Sequence, residues 1–173
     1  SIHKNVFYSQ FSGFKTGKKD INGNDEFDNW IDYFKLGYRK MLNIAQERTL
    51  TPAILLQKTS HTNGVISVIF KEEKYLTELA AISSSIINDF FVKTVGASNL
   101  TDSRLAAFPL GVEEKYKPHL FNRTLQLNCL NKYYAPLWEE SWKEDFKADN
   151  WSKQDARLKP FNTLTPKWQW SIP

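Results

Sequence analysis

At 173 residues the chain is long enough to bury one core of ordinary size, or one core with a helical appendage. Hydrophobic residues make up 41% and charged residues 24%, a balance that excludes a disordered chain; no run approaches the roughly 20 apolar residues that span a bilayer and no signal-peptide pattern opens the chain, so a soluble, cytoplasmic protein with no membrane partner is expected. A net charge of +4 and a pI near 9.0 permit a polyanionic partner without requiring one.

In chain order, Val6-Phe-Tyr-Ser-Gln-Phe-Ser-Gly-Phe14 reads as a strand and Lys15-Thr-Gly-Lys-Lys-Asp-Ile-Asn-Gly-Asn24 as a flexible connection. From Asp25, the apolar positions Phe27, Trp30, Ile31, Phe34, Tyr38, Met41, Leu42 and Ala45 recur at three- and four-residue steps, which predicts an amphipathic helix over about 25–47 with Asp28, Asp32, Lys35, Arg39 and Lys40 on its polar side. Pro52 ends that pattern, and Ala53-Ile-Leu-Leu-Gln-Lys58 reads as a strand. Asn63-Gly64 is a tight-turn pair and Val65-Ile-Ser-Val-Ile-Phe70 is β-branched, so the two strands are expected to form a hairpin inside a sheet covered on both sides. Leu76, Leu79, Ala80, Ser83, Ile86, Ile87, Phe90, Phe91 and Thr94 follow helical spacing, and Gly96 is placed to stop that helix. After a loop at 97–102 and the apolar piece Leu105-Ala-Ala-Phe-Pro-Leu110, residues 120 to about 143 read as a further helix, bent near Pro136. The Trp- and Pro-bearing tail over 150–173 cannot form a core by itself.

Six Trp, seven Tyr and twelve Phe give an aromatic share of 14%, with Trp138, Trp142, Trp151, Trp168 and Trp170 crowded into the last third. Such rings either fill a core or form platforms and docking surfaces. The single cysteine, Cys129, sits in Leu125-Gln-Leu-Asn-Cys-Leu130 and reads as a small buried hydrophobe, which excludes a disulfide framework or a cysteine metal site. Lys15, Lys18, Lys19, Lys35, Arg39, Lys40, Arg48 and Lys58 concentrate in the first third, where they either track phosphates or form a solvated face. The chain opens at Ser1 without methionine and stops without a polar tail, which reads as a piece excised from a longer protein.

Motifs for catalysis are missing. There is no Gly-rich phosphate loop, no His/Cys metal cluster and no Gly-x-Ser-x-Gly elbow, and His3, His61 and His119 lie far apart. Glu72-Glu73-Lys74 follows a strand as nuclease carboxylates do, but the neighbouring strand ends in Lys58-Thr-Ser60 without the second acid that a hard cation needs. Its plainer reading is an acidic helix N-terminus, favoured by the helix dipole. No catalytic residue and no metal ligand is assigned to this chain.

The stretch Leu79-Ala-Ala-Ile-Ser-Ser-Ser-Ile-Ile-Asn-Asp-Phe-Phe91, then Gly96 and Asn99-Leu100, then Leu105-Ala-Ala-Phe-Pro-Leu110, resembles the target-recognition segment of N6-adenine DNA methyltransferases of bacterial restriction-modification systems, type IIG-like. That segment pairs a helix with a glycine, a polar loop and a closing Leu-Pro strand; this chain departs from it at Ser83 and Ser84, where Leu and Asn are usual. Leu125-Gln-Leu-Asn-Cys-Leu-Asn-Lys-Tyr-Tyr-Ala-Pro-Leu-Trp-Glu-Glu140 is similar to a C-terminal helical region of the same class, so the resemblance covers roughly 50–140.

The resemblance implies a target-recognition-like α/β domain over 1–111 and a helical, Trp-rich extension over 112–173 packed on it. The expected fold class is mixed α+β, a small sheet with flanking helices plus that C-terminal extension. The implied function is sequence-specific recognition of double-stranded DNA as the non-catalytic part of an adenine-specific methyltransferase or fused restriction enzyme. The catalytic domain of the same parent chain would be a partner, and S-adenosylmethionine would be the parent's cofactor, with none held here. The resemblance also implies that the parent would flip the target adenine out of the duplex. Base edges are read by paired donors and acceptors and phosphates by Lys, Ser and Thr, which makes Lys58, Thr59, Ser60, His61, Asn63, Ser98, Asn99 and Arg104 loop candidates and Arg39, Lys40 and Arg48 backbone candidates. In the alternative reading the chain is a protein-docking module with Trp138, Trp142, Trp168 and Trp170 as anchors.

Overall fold

The computed structural model describes residues 6–8, 13–153 and 155–169. The chain is α+β and divides into two compact units, Ser1–Leu110 and Gly111–Pro173. No helix among the described residues is long and apolar enough to cross a membrane.

The first unit is built on β1 (Val6–Tyr8), β4 (Lys35–Arg39), β5 (Pro52–Leu55) and β6 (Val65–Phe70), a four-stranded sheet of order β1-β6-β4-β5 in which every neighbouring pair is antiparallel. Register places Leu36 beside Val68 and Ile54, and Tyr38 beside Ile66 and Pro52. Alternate residues of a strand share a face, so Leu36, Tyr38, Ile54, Ile66 and Val68 form one apolar face. The helix α1 (Glu73–Ser83) packs against β4, β5 and β6. Its small Ser83 meets the Tyr38 hydroxyl at 2.8 Å in the buried interior. Gly37 belongs to the opposite face, where a Cβ would lie 2.7 Å from Leu55 Cδ1, so only glycine fits without displacing that side chain.

Two expectations fail at β4. The helix foreseen over 25–47 is instead β3 (Asp25–Phe27), a 3₁₀ turn at Trp30–Asp32, β4 and an irregular segment. Phe34, Leu36 and Tyr38 alternate at period two, and Gly37 weakens any helix through that point; Asn29 meanwhile starts the turn by accepting the Ile31 N–H at 3.1 Å. The hairpin foreseen between 53–58 and 65–70 does not form, because β4 lies between β5 and β6 and pairs with both. Asn63-Gly64 still makes a turn, closed by Val65 N–H on Thr62 O at 3.1 Å. The 56–64 connection therefore returns along the sheet, and His61 Nε2 meets Ser67 Oγ at 2.7 Å on the way.

Residues 15–24 are not a flexible connection: β2 (Lys15–Lys19) pairs with β3, and the Asp20 carboxylate accepts the Asn22 and Asn24 N–H groups, both at 2.8 Å, to close the turn. The single helix expected over 76–94 breaks after α1, and α2 (Ile86–Val95) follows. Ser84 Oγ donates back to Ala80 O at 2.8 Å and Ser85 Oγ caps α2 by accepting the Asn88 N–H at 3.2 Å; serine hydroxyls compete with the helical ladder in this way. Gly96 ends α2 at φ 66°, as its position predicted. The expected closing strand at 105–110 is instead the end of a helical turn, α3 (Asp102–Leu105), and its sequel, from which Leu105 and Phe108 are buried.

In the second unit the expected bent helix is two, α4 (Lys117–Asn128) and α5 (Ala135–Ser141), with Pro136 in the first turn of α5, where proline costs no hydrogen bond. Cys129 ends α4 and is buried, as expected, with Phe121, Leu125, Leu137, Trp138, Phe146, Phe161 and Leu164. Burial pushes the Cys129 thiol up to about 12.

Candidate nucleic-acid interface

Beyond Arg39 the backbone of β4 continues as an irregular ladder. Lys40 N–H donates to Gly64 O at 2.9 Å, Leu42 N–H to Ser98 O at 2.9 Å, and Leu100 N–H to Lys40 O at 2.8 Å, with Met41 bridged to Asn99. One end of the sheet thereby collects Arg39, Lys40, Asn63, Ser98, Asn99 and Arg104. Lys40 Nζ donates to Asn63 Oδ1 at 3.0 Å, Arg39 Nη2 to Gln46 Oε1 at 2.7 Å, and Arg104 Nη1 to Asn99 O at 3.5 Å. The described residues give none of these three cations an acidic partner. Arg39 Nε is buried without a hydrogen-bond partner. Asn63, Ser98 and Asn99 are exposed.

The other candidates fall elsewhere. Lys58, at φ 59°, lies by the opposite end of β4: its N–H donates to Ile31 O at 2.7 Å and its ammonium pairs with Asp32. Thr59 Oγ1 donates to Leu56 O at 2.6 Å. His61 is half-buried against Ser67, and Ser60, just before it in the chain, is exposed. Arg48 sits by the N-terminal end of α2, donating to Ser84 O at 2.9 Å and approaching Asp89 at 3.6 Å. The loop set is therefore split: Asn63, Ser98, Asn99 and Arg104 converge, whereas Lys58 and Thr59 are at the far end and Lys58 and Arg48 are neutralised.

One lysine escaped sequence reasoning and another was misplaced by it. Lys93, on α2, donates to Gln46 O at 2.9 Å and joins the segment that also holds Arg39. Lys35, expected on a polar helix face, is fully buried. Its ammonium donates to Tyr33 O at 3.1 Å and Leu56 O at 3.2 Å and lies 5.4 Å from the centre of the Trp30 ring. Burial lowers its pKa, with Asp32 opposing. Its contacts are to backbone and ring, which gives it the role of a tether for the start of the 56–64 connection.

In the second unit, Trp138 is a core residue, 2% exposed, with its indole N–H on Thr165 O at 3.0 Å. Trp142 is half-buried, its ring centre 5.5 Å from those of both Trp138 and Phe146. Trp168 is half-buried with its indole N–H 3.5 Å from Cys129 O, and Trp170 lies outside the described residues. Trp138 therefore fills a core and is not an exposed anchor. Nearby, Arg123 grips Asp149 with two bonds of 2.9 Å, and His119 Nδ1 lies 3.0 Å from the same carboxylate. Burial raises the Asp149 pKa, but Arg123, the Asn150 N–H and His119 outweigh it and hold the carboxyl below its ordinary range.

An open depression of about 670 Å³, lined by Lys147, Trp151, Lys153, Phe161 and Asn162 among others, contains none of the candidate residues. Among the described residues no group of three His, Cys, Asp or Glu side chains is placed to hold a metal ion. The chain matches no known family model, no curated protein and no solved structure.

Proposed function

We propose that this chain recognises double-stranded DNA by sequence, as the non-catalytic part of an adenine-specific restriction-modification methyltransferase. The observation that carries the reading is the convergence of Arg39, Lys40 and Arg104, without acidic partners among the described residues, beside the exposed polar side chains of Asn63, Ser98 and Asn99. Cations left unneutralised at one edge suit a phosphate backbone, and they release condensed counterions when they bind it. Asparagine amides and arginine forks are the groups that read adenine and guanine edges. Arg39 and Lys40 take the phosphates in this reading; Asn99 and Arg104 take the bases. Methyl transfer and S-adenosylmethionine belong to another part of the parent enzyme, in the cytoplasm.

The test is fluorescence anisotropy of the 173-residue chain on a randomised duplex pool, titrated at increasing NaCl, followed by selection of bound sequences. The expected log–log salt slope falls by ~0.9 for each phosphate contact removed. Lys40→Gln is expected to weaken binding to all sequences and flatten the slope by that amount. Asn99→Ala is expected to leave the slope and relax the selected sequence. Binding that ignores both salt and the Lys40→Gln and Arg104→Gln changes sinks the proposal.

A further inference from the structure

We infer that the outward face of α2 is the two-fold contact of a homodimer. This helix is amphipathic in the reverse sense. Asn88, Asp89 and Val92 are buried, while Ile86, Ile87, Phe90, Phe91 and Val95 are 78%, 79%, 65%, 45% and 50% exposed. At 3.6 residues per turn the exposed residues and Thr94 share one half of the helix. The polar groups are used within the unit: Asp89 accepts the Thr49 and Leu50 N–H groups, Asn88 Nδ2 donates to Ile82 O, and Lys93 donates to Gln46 O.

The 41–50 segment, tied to α2 through Gln46 and Asp89, adds Met41 at 72% and Ile44 at 52% exposure. The five α2 side chains alone present on the order of 600 Å² of apolar surface, about the most that a monomer leaves open. Doubled across a symmetric contact, that area is ~1,200 Å², the lower end for a specific stable interface.

Charge and symmetry select a second copy as the occupant. The exposed stripe carries no charged side chain, so neither DNA nor an acidic or basic segment is matched to it. Its pattern is also nearly the same read in either direction, the exception being Thr94, whose hydroxyl already donates to Phe91 O. An antiparallel pair centred between Phe90 and Phe91 sets Ile86 against Val95, Ile87 against Thr94 and Phe90 against Phe91. Lys93 then falls opposite Asn88 rather than opposite another cation. Antiparallel helices also oppose their dipoles favourably. A two-fold contact must be self-complementary in this way, whereas a contact with an unrelated partner need not be.

The experiment is sedimentation velocity on the full 173-residue chain from nanomolar to high micromolar concentration. A monomer–dimer equilibrium is expected, with Phe90→Glu and Phe91→Lys each moving its midpoint at least about tenfold upward, the cost of one interface anchor. Far-UV circular dichroism of both variants is expected to be unchanged, since Phe90 and Phe91 are 65% and 45% exposed and the Phe91 ring meets Phe108 only edge-on, at 6.5 Å. Mixing the two variants is expected to restore dimers, because the antiparallel register brings position 90 to position 91 of the partner. A chain that stays monomeric throughout, a dimer indifferent to both substitutions, or a mixture that fails to recover overturns the inference. Duplex DNA affinity of the monomeric variants reads the cationic edge separately.

Discussion

Asp89 is the joint on which the cationic edge depends, and its removal is the most informative perturbation. The carboxylate is 6% exposed, and its Oδ1 accepts the Thr49 N–H at 2.8 Å and the Leu50 N–H at 2.6 Å. Thr49 and Leu50 are themselves 0% and 1% exposed, so no water replaces a lost acceptor. Bonds to an ionised acceptor contribute ~1.5–3 kcal/mol each, and a buried donor left without a partner costs about as much. Arg48 at 3.6 Å adds little, because its side chain is 39% exposed and solvent screens the pair. Asp89→Ala is therefore expected to cost roughly 3–5 kcal/mol. Asp89→Asn keeps an acceptor oxygen and is expected to cost about half that. Two units rule out a simple two-state reading, so the assay is hydrogen exchange at the Thr49 and Leu50 amides beside urea denaturation. Both amides are expected to lose protection in Asp89→Ala. Because the same segment presents Gln46 to Arg39 and Lys93, DNA affinity at low salt is expected to fall with them. An Asp89→Ala protein within ~0.5 kcal/mol of the parent, with both amides still protected, refutes the reasoning.

Two further outcomes are expected in the second unit. The Asp149 carboxyl titrates below its ordinary value, so its contribution to stability is full above pH ~4 and is lost as pH falls through the depressed folded value; acid unfolding of the parent should show this loss and Asp149→Asn should not. The Cys129 thiol, pushed up to about 12 by burial, is expected to resist alkylation at neutral pH until the unit unfolds. Rapid labelling under native conditions, ahead of the loss of Trp fluorescence, would contradict that burial.

Local chemistry made some elements readable and concealed others. The β-branched run at β6, the acidic start of α1 and the glycine ending α2 each act through their own neighbours, and each was readable in the chain. β4 was concealed because Phe34, Tyr38 and Met41 satisfy a helical step by coincidence, while the alternation that prevails is seen only once β5 and β6 supply partners. The same holds for the candidate interface. Turn and loop chemistry picked out Asn63, Ser98, Asn99 and Arg104, but their meeting depends on the pairing of 40–42 with 98–100, which joins residues far apart in sequence. Side-chain type also marked Lys58 and Arg48 as phosphate readers, and only the fold reveals that Asp32 and Asp89 stand beside them. Lys93 was passed over because its contact with Gln46 O joins residues far apart in the chain.

Strand order sets a timetable for assembly. β4 lies between two strands made after it, and β1 finds its partner in β6, with Val6 opposite Phe70. Contacts spanning that much chain are slow to close. On the ribosome β1 cannot meet β6 until some sixty further residues have emerged. Slower translation before residue 70 would lengthen that wait, and with it the time during which a bare strand edge can meet another nascent chain.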